Sequence, residues 1–286
     1  MSQLLKSYRM ELPSVMNMDE GLLQLSQESE HIANLIGVFR QIIPHFKSAI
    51  ITAAETTQNY ISGNTEITSE LSRKQKNAIE ESRKLDFVNF SERRINIPEN
   101  FKGSLVDYSK HLINITSDLY TINSTTLAEY NTILSSFLTN KADKISLKDH
   151  TELFKKVEVK REAIVKILGD YTKDTGKSQV KLRQVINRFS DLPLLFENIN
   201  RLSEIQNKSV IVNINLEMKK CISLLDIIIT RVNEGDITNL SAAAASNISK
   251  GAYEVAKLCE LAGVVFYDTN VLLKIVDELA TAILKD

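Results

Sequence analysis

Tryptophan is absent from this chain, and glycine and proline are scarce, at nine and four of 286 residues. Average usage would supply about 20 glycines and 14 prolines. So few breakers build few turns, and the chain must run for long stretches in one kind of element. The missing tryptophan also removes one common interface anchor. Cysteine is rare. Cys221 and Cys259 both fall among apolar neighbours in helical-looking segments, and are expected to be buried, reduced small hydrophobes. The paired spacing of a zinc site is missing.

Neither sign of charge dominates: 35 Lys and Arg face 36 Asp and Glu, for a net charge of −1. A protein that coats nucleic acid shows a basic excess or stripe, so nucleic acid is not expected as the main partner. Long apolar runs are lacking as well. Ala262–Tyr267 falls far below the ~18 residues of a spanning helix, and the start, Met1 to Met10, lacks the apolar core of a signal peptide. A soluble protein, cytoplasmic where it is made and without a membrane span, is expected. The Asn-x-Ser/Thr triplets at Asn114, Asn123 and Asn247 then reflect composition rather than glycosylation.

What is present is helical periodicity. Apolar residues recur at spacings of three and four from Leu22 through Ile36, Phe46 and Ile50 to Ile61. That stripe runs for about 40 residues, or ~60 Å at the rise of a helix. Asp19 is its expected cap, Pro44 is expected to kink it, and Gly63-Asn64 to stop it. A second, more polar helix is expected from about Thr65 to Leu85, on the outside of a bundle or bridging through solvent. Residues 86–103 show no helical order, although the alternation of Arg94-Ile-Asn-Ile-Pro98 predicts a short extended segment. A helix is expected from Ser104 to about Asn140, irregular near Thr121–Thr126, where Thr, Ser and Asn crowd. Lys141–Lys148 reads as a polar link.

Further helices are expected over Leu147–Lys173, Lys177–Phe189 and Asp191–Gln206, the last opened by the cap Ser190-Asp191-Leu192-Pro193. Lys208–Asn233 reads as helix, with a strand over Val210–Leu216 as the alternative, and Gly235 fits the left-handed position after its end. A long final helix is expected from about Thr238 to Leu284. Small residues crowd its first half, and Asp268-Thr269-Asn270 is a candidate break. The fold class is therefore all-α: an elongated bundle of several long amphipathic helices with one short irregular or extended segment. The division is residues 1–85, a connector at 86–103 and a main bundle over 104–286, or one domain throughout.

No phosphate-binding glycine loop, nucleophile elbow or zinc-protease motif is present, and no cofactor is expected. Di-iron bundles need two Glu-x-x-His motifs, and only Glu28–His31 matches; His45, His111 and His150 lack a glutamate three residues earlier. Asp107 and His111, one turn apart, show no pocket or partner. Phe87, Phe90, Arg93 and Arg94 form a candidate docking spot, since aromatics and arginine are enriched in interfaces; a loop tucked under the bundle explains them equally.

Helices of ~60 Å suit rods, shells and scaffolds, so the leading expectation is a non-enzymatic structural or assembly protein that packs against itself or protein partners. Alternatives are a pore-forming or membrane-remodelling protein, with Ala242–Tyr267 as the hidden apolar segment, and a helical adaptor or regulator. The Asn-, Ile-, Lys- and Ser-rich texture of passages such as Asn114 to Thr126 resembles structural proteins of large tailed-phage virions. That resemblance implies a virion component made in the host cytoplasm.

Overall fold

The structure is a computed structural model, and it describes residues 32–85, 87–139, 150–168, 176–188, 190–206, 211–237 and 241–285. It is an all-α bundle with a small two-stranded sheet at one end. In chain order the elements are α1 (Ile32–Lys84), α2 (Phe87–Glu92), β1 (Arg94–Pro98), α3 (Leu105–Leu138), α4 (Thr151–Leu168), β2 (Lys177–Lys181), α5 (Asp191–Ile205), α6 (Ile211–Glu234) and α7 (Ala242–Leu284). The stretches around Asp19, Lys141–Lys148 and His31 lie outside the described residues.

Helix α7 is the axis of the bundle. From Gly251 to Ile283 most of its residues are buried, on every side, as expected of a helix at the centre of a bundle. Tyr60 packs edge-on against Tyr267 and Lys74 pairs with Asp277, so α1 lies alongside α7 and parallel to it. Tyr108 reaches Asp268 while the Tyr130 ring lies on Gly251, so α3 runs the opposite way. A Cβ added at Gly251 would fall 2.2 Å from Tyr130 Cδ2; the absent side chain is what lets α3 approach. Helix α4 is parallel to α7, with His150 beside Glu254 and Arg161 beside Asp268. Arg40 bonds to Val232 and Asn200 to Gln75, so α6 and α5 lie in succession antiparallel to α1. One hydrophobic cluster holds all of this together, from Ile43 of α1 to Ile283 of α7.

Several expected breaks are not breaks. Helix α1 runs for 53 residues, about 80 Å; it continues through Pro44, expected to kink and not to end it, and also through Gly63-Asn64, expected to stop it. Asn64 does not turn back on its own backbone. It donates to the Phe266 carbonyl at 3.1 Å and accepts from Asn270 at 2.9 Å. Nearby hydroxyls are absorbed within the helix, Thr65 on Ile61 O and Thr68 on Asn64 O, the back-bonding that Ser and Thr use in helix interiors. The expected second helix is therefore the C-terminal part of α1, and its thin apolar face, Leu71 and Ala78, is buried. Helix α3 likewise passes unbroken through Thr121–Thr126, where Thr125 bonds to the carbonyls of Thr121 and Ile122. Helix α7 passes through Asp268-Thr269-Asn270, whose partners are described below.

Other corrections concern short elements. Residues 87–92 form a helical turn and a half where no helical order was expected. The extended segment at 94–98 is β1, with Ile95 and Ile97 buried. Its partner is β2, in a stretch read from sequence as helix. The pair is antiparallel, from Arg94 opposite Lys181 to Pro98 opposite Lys177. Only Val180 in β2 is apolar, too little for alternation to show. Helix α6 begins at Ile211, so the strand alternative is dropped. Ser190 makes no side-chain cap bond; instead the Asp191 carboxylate accepts the Arg188 N–H at 3.1 Å. Ser104 and Ser241 are true caps, accepting from Val106 and Ala244. Gly235 has φ +82°, as its place after the α6 end required.

Candidate functional site

Three polar constellations stand out, two inside the bundle and one at its sheet end. The first surrounds one turn of α7. Successive helical residues point about 100° apart, so Asp268, Thr269 and Asn270 address three different neighbours. Asp268 is fully buried and accepts from Arg161 Nε of α4 at 3.1 Å. The Tyr108 hydroxyl of α3 donates to the Asp268 carbonyl at 2.6 Å. Thr269 accepts from Gln206 at the end of α5, at 3.0 Å, and Asn270 donates to Asn64 of α1. Burial pushes the Asp268 carboxyl above the ordinary carboxylate range, against the pull of Arg161. Asp268 Oδ1 and Arg161 Nη2 have no hydrogen-bond partner among the described residues.

The second constellation is His150, just before α4. Its Nδ1 lies 2.8 Å from Glu254 Oε2 and its Nε2 3.5 Å from Glu129 Oε2. The two carboxylates approach opposite ring nitrogens, so they do not converge on a point where one ion could sit. Among the described residues no group of three His, Cys, Asp or Glu is placed to hold a metal. This histidine bridges α3, α4 and α7. Sequence reading passed over it because its partners are 21 and 104 residues away and no local spacing reports them. Of the other histidine candidates, His45 is exposed and His111 half-buried beside exposed Asp107. Glu28 and His31 lie outside the described residues.

The third is a groove of about 910 Å³ between β1 and the last turns of α7, lined by Leu85, Asn89, Arg93, Arg94, Asn96 and Glu278 among others. Two of the four sequence-derived docking residues line it. The Arg93 guanidinium caps α7: its Nη1 lies against the carbonyl oxygens of Ala282, Ile283 and Lys285, 2.8 Å from that of Ile283. A cation there satisfies the orphan acceptors of the helix end and complements its dipole. Arg94 is exposed, with one long contact of 3.4 Å to Gln179. Phe90 is a core residue, 2% exposed. The Phe87 side chain is outside the described residues. Arg93 and Phe90 thus tuck the connector under the bundle, and Arg94 faces the groove.

Cys221 is a free thiol, buried in the core, and burial, with Glu217 nearby, pushes it up to about 12. A thiol so placed is inert at neutral pH. The Cys259 side chain is outside the described residues. No helix among the described residues is long and apolar enough to cross a membrane. No protein-family model matches the chain, and no curated protein or solved structure matches it either.

Proposed function

We propose that this is a structural or assembly protein without catalytic activity, working by helix packing against further copies of itself or against protein partners. The observation that carries the reading is the pair of parallel helices α1 and α7, 53 and 43 residues long. They span roughly 80 and 65 Å, lengths that suit a rod or spacer better than the walls of a catalytic cleft. The buried ionisable groups agree with it. Asp268, Arg161, His150 and Glu254 are each spent on contacts between helices, and none lines the groove. A component of a tailed-phage virion is the finer form of this reading, and it rests on the texture of passages such as Asn114 to Thr126.

The test is the solution mass of the full chain by light scattering over a range of concentrations. A mass that grows with concentration, or a defined assembly well above the 32.2 kDa of one chain, is the expected result. A monomer at every concentration would remove self-packing from the proposal. A second reading, a helical adaptor binding one partner, is favoured by a single feature: the open groove beside β1.

A further inference from the structure

The edge of β1 that faces the groove is unusual in how its backbone is used. Arg93 O accepts from Leu182 N at 2.8 Å, and Glu99 N donates to Gly176 O at 2.9 Å. With the observed register, the odd-numbered residues of this stretch turn their N–H and C=O groups to β2. The even-numbered ones turn theirs away, as antiparallel pairing requires. That outer edge comprises the N–H and C=O of Arg94 and Asn96; the C=O of Pro98 turns the same way but accepts from the Phe101 N–H at 3.0 Å. Among the described residues the partner of this edge is a side chain: the Asn96 N–H donates to Glu278 Oε2 of α7 at 3.0 Å. A carboxylate oxygen here holds the place that a carbonyl of a neighbouring strand would take. Unpaired strand edges are templates for adding another strand.

Charge in the groove narrows what that strand carries. Glu92 is matched by Lys181 and Arg183, and Asp277 by Lys74 at 2.8 Å. Arg93 is occupied by the end of α7. Glu278 has Lys177 at 3.7 Å on its other oxygen, a contact it keeps when the Asn96 N–H is taken by another acceptor. Arg94 and Lys285 line the same groove, are exposed, and meet no carboxylate within ion-pair distance among the described residues. Arg94 does attract the Glu92 carboxylate at longer range, but Glu92 already has Lys181 and Arg183, so the charge left over is positive.

We propose that this groove binds an extended, acidic peptide segment of a partner protein, which adds to β1 as a third strand. Its backbone pairs with Arg94 and Asn96, replaces Glu278 on the Asn96 N–H, and sets a carboxylate against Arg94 and Lys285. The proposal rests on the adaptor reading and deepens it, and it is independent of whether the chain also self-assembles.

The test selects binders to the full chain from a random dodecapeptide library and measures the best of them by fluorescence anisotropy. The expected peptides are rich in Asp and Glu. Asn96→Pro, which deletes the outward N–H, should weaken binding about tenfold, as should N-methylation of alternate peptide residues. The double variant Arg94→Glu/Lys285→Glu leaves the backbone edge intact. It should abolish selection of acidic peptides and, since both side chains are exposed, keep the helical circular dichroism of the parent. Three outcomes overturn the proposal: no peptide selected, binders without acidic residues, or binding indifferent to N-methylation and to both variants. Loss of self-association in Asn96→Pro, seen by light scattering with no peptide binding in the parent, would assign the edge to a second copy and overturn it as well.

Discussion

Arg161 and Asp268 bring opposite charges into the interior of the bundle, at 6% and 0% exposure. Desolvation costs such a pair more than an exposed one, and removing one partner leaves the other buried alone. Asp268 titrates above its ordinary 3.8 in the folded chain because burial outweighs the attraction of Arg161. A carboxyl whose folded value is raised stabilises the fold fully below its unfolded value, and that contribution is lost as pH rises through the folded value. Arg161→Met enlarges this effect, since the ionised carboxylate then has no cation. The substitution should cost about 3–5 kcal/mol near neutral pH, and the deficit should be smaller at a mildly acidic pH, because a protonated Asp268 leaves no charge unpaired. Urea unfolding of parent and variant at the two pH values measures it. A deficit that is the same at both would mean that Asp268 does not titrate in that range.

At the scale of elements, the long helices were legible in sequence because their stripes of Leu, Ile and Phe keep one period over many turns. Strand β1 was legible for the same reason at period two. What failed was local punctuation. Gly63-Asn64, Thr121–Thr126 and Asp268-Asn270 all look like breaks, yet hydroxyls back-bond within the helix and amides find partners about 200 residues away. Strand β2 could not be read from five residues with one valine; its pairing with Ile95 and Ile97 decides it. The outward N–H of Lys181 is taken by Gln184 Oε1 at 2.9 Å, which blunts that end of the outer edge of β2 against pairing with a second copy. Of the candidate site, the sequence marked Arg93 and Arg94, while Glu278 and Lys285 joined them only through the fold. Arg93→Met deletes the cap on α7 and should cost about 1–3 kcal/mol, the range for a charged hydrogen bond and the carbonyls it leaves unmet. Amide exchange should rise first over residues 281–285. Acceleration spread evenly along α7 would show that the cap is not local.

Across the whole molecule, an axial helix buried mainly through apolar side chains has a problem of register. Leucine, valine and alanine on α7 would pack nearly as well if a neighbour slid by a turn, because apolar contact is not directional. The polar turn at Asp268-Thr269-Asn270 removes that freedom. It meets α1, α3, α4 and the end of α5 at one level, and a slip of one turn, about 5.4 Å, would strand each buried donor and acceptor without its partner. A layer of this kind contributes specificity more than stability. The prediction concerns the two neutral contacts, Asn64 with Asn270 and Gln206 with Thr269. Replacing all four, as Asn64→Leu, Asn270→Leu, Gln206→Leu and Thr269→Val, should leave helix content and thermal midpoint close to those of the parent. The variant should nevertheless lose the single packed state, with weakened near-ultraviolet circular dichroism from the tyrosines and broadened methyl resonances. If it unfolds cooperatively at a much lower temperature while keeping sharp spectra, the layer acts by holding the bundle together, and register is set elsewhere along α7.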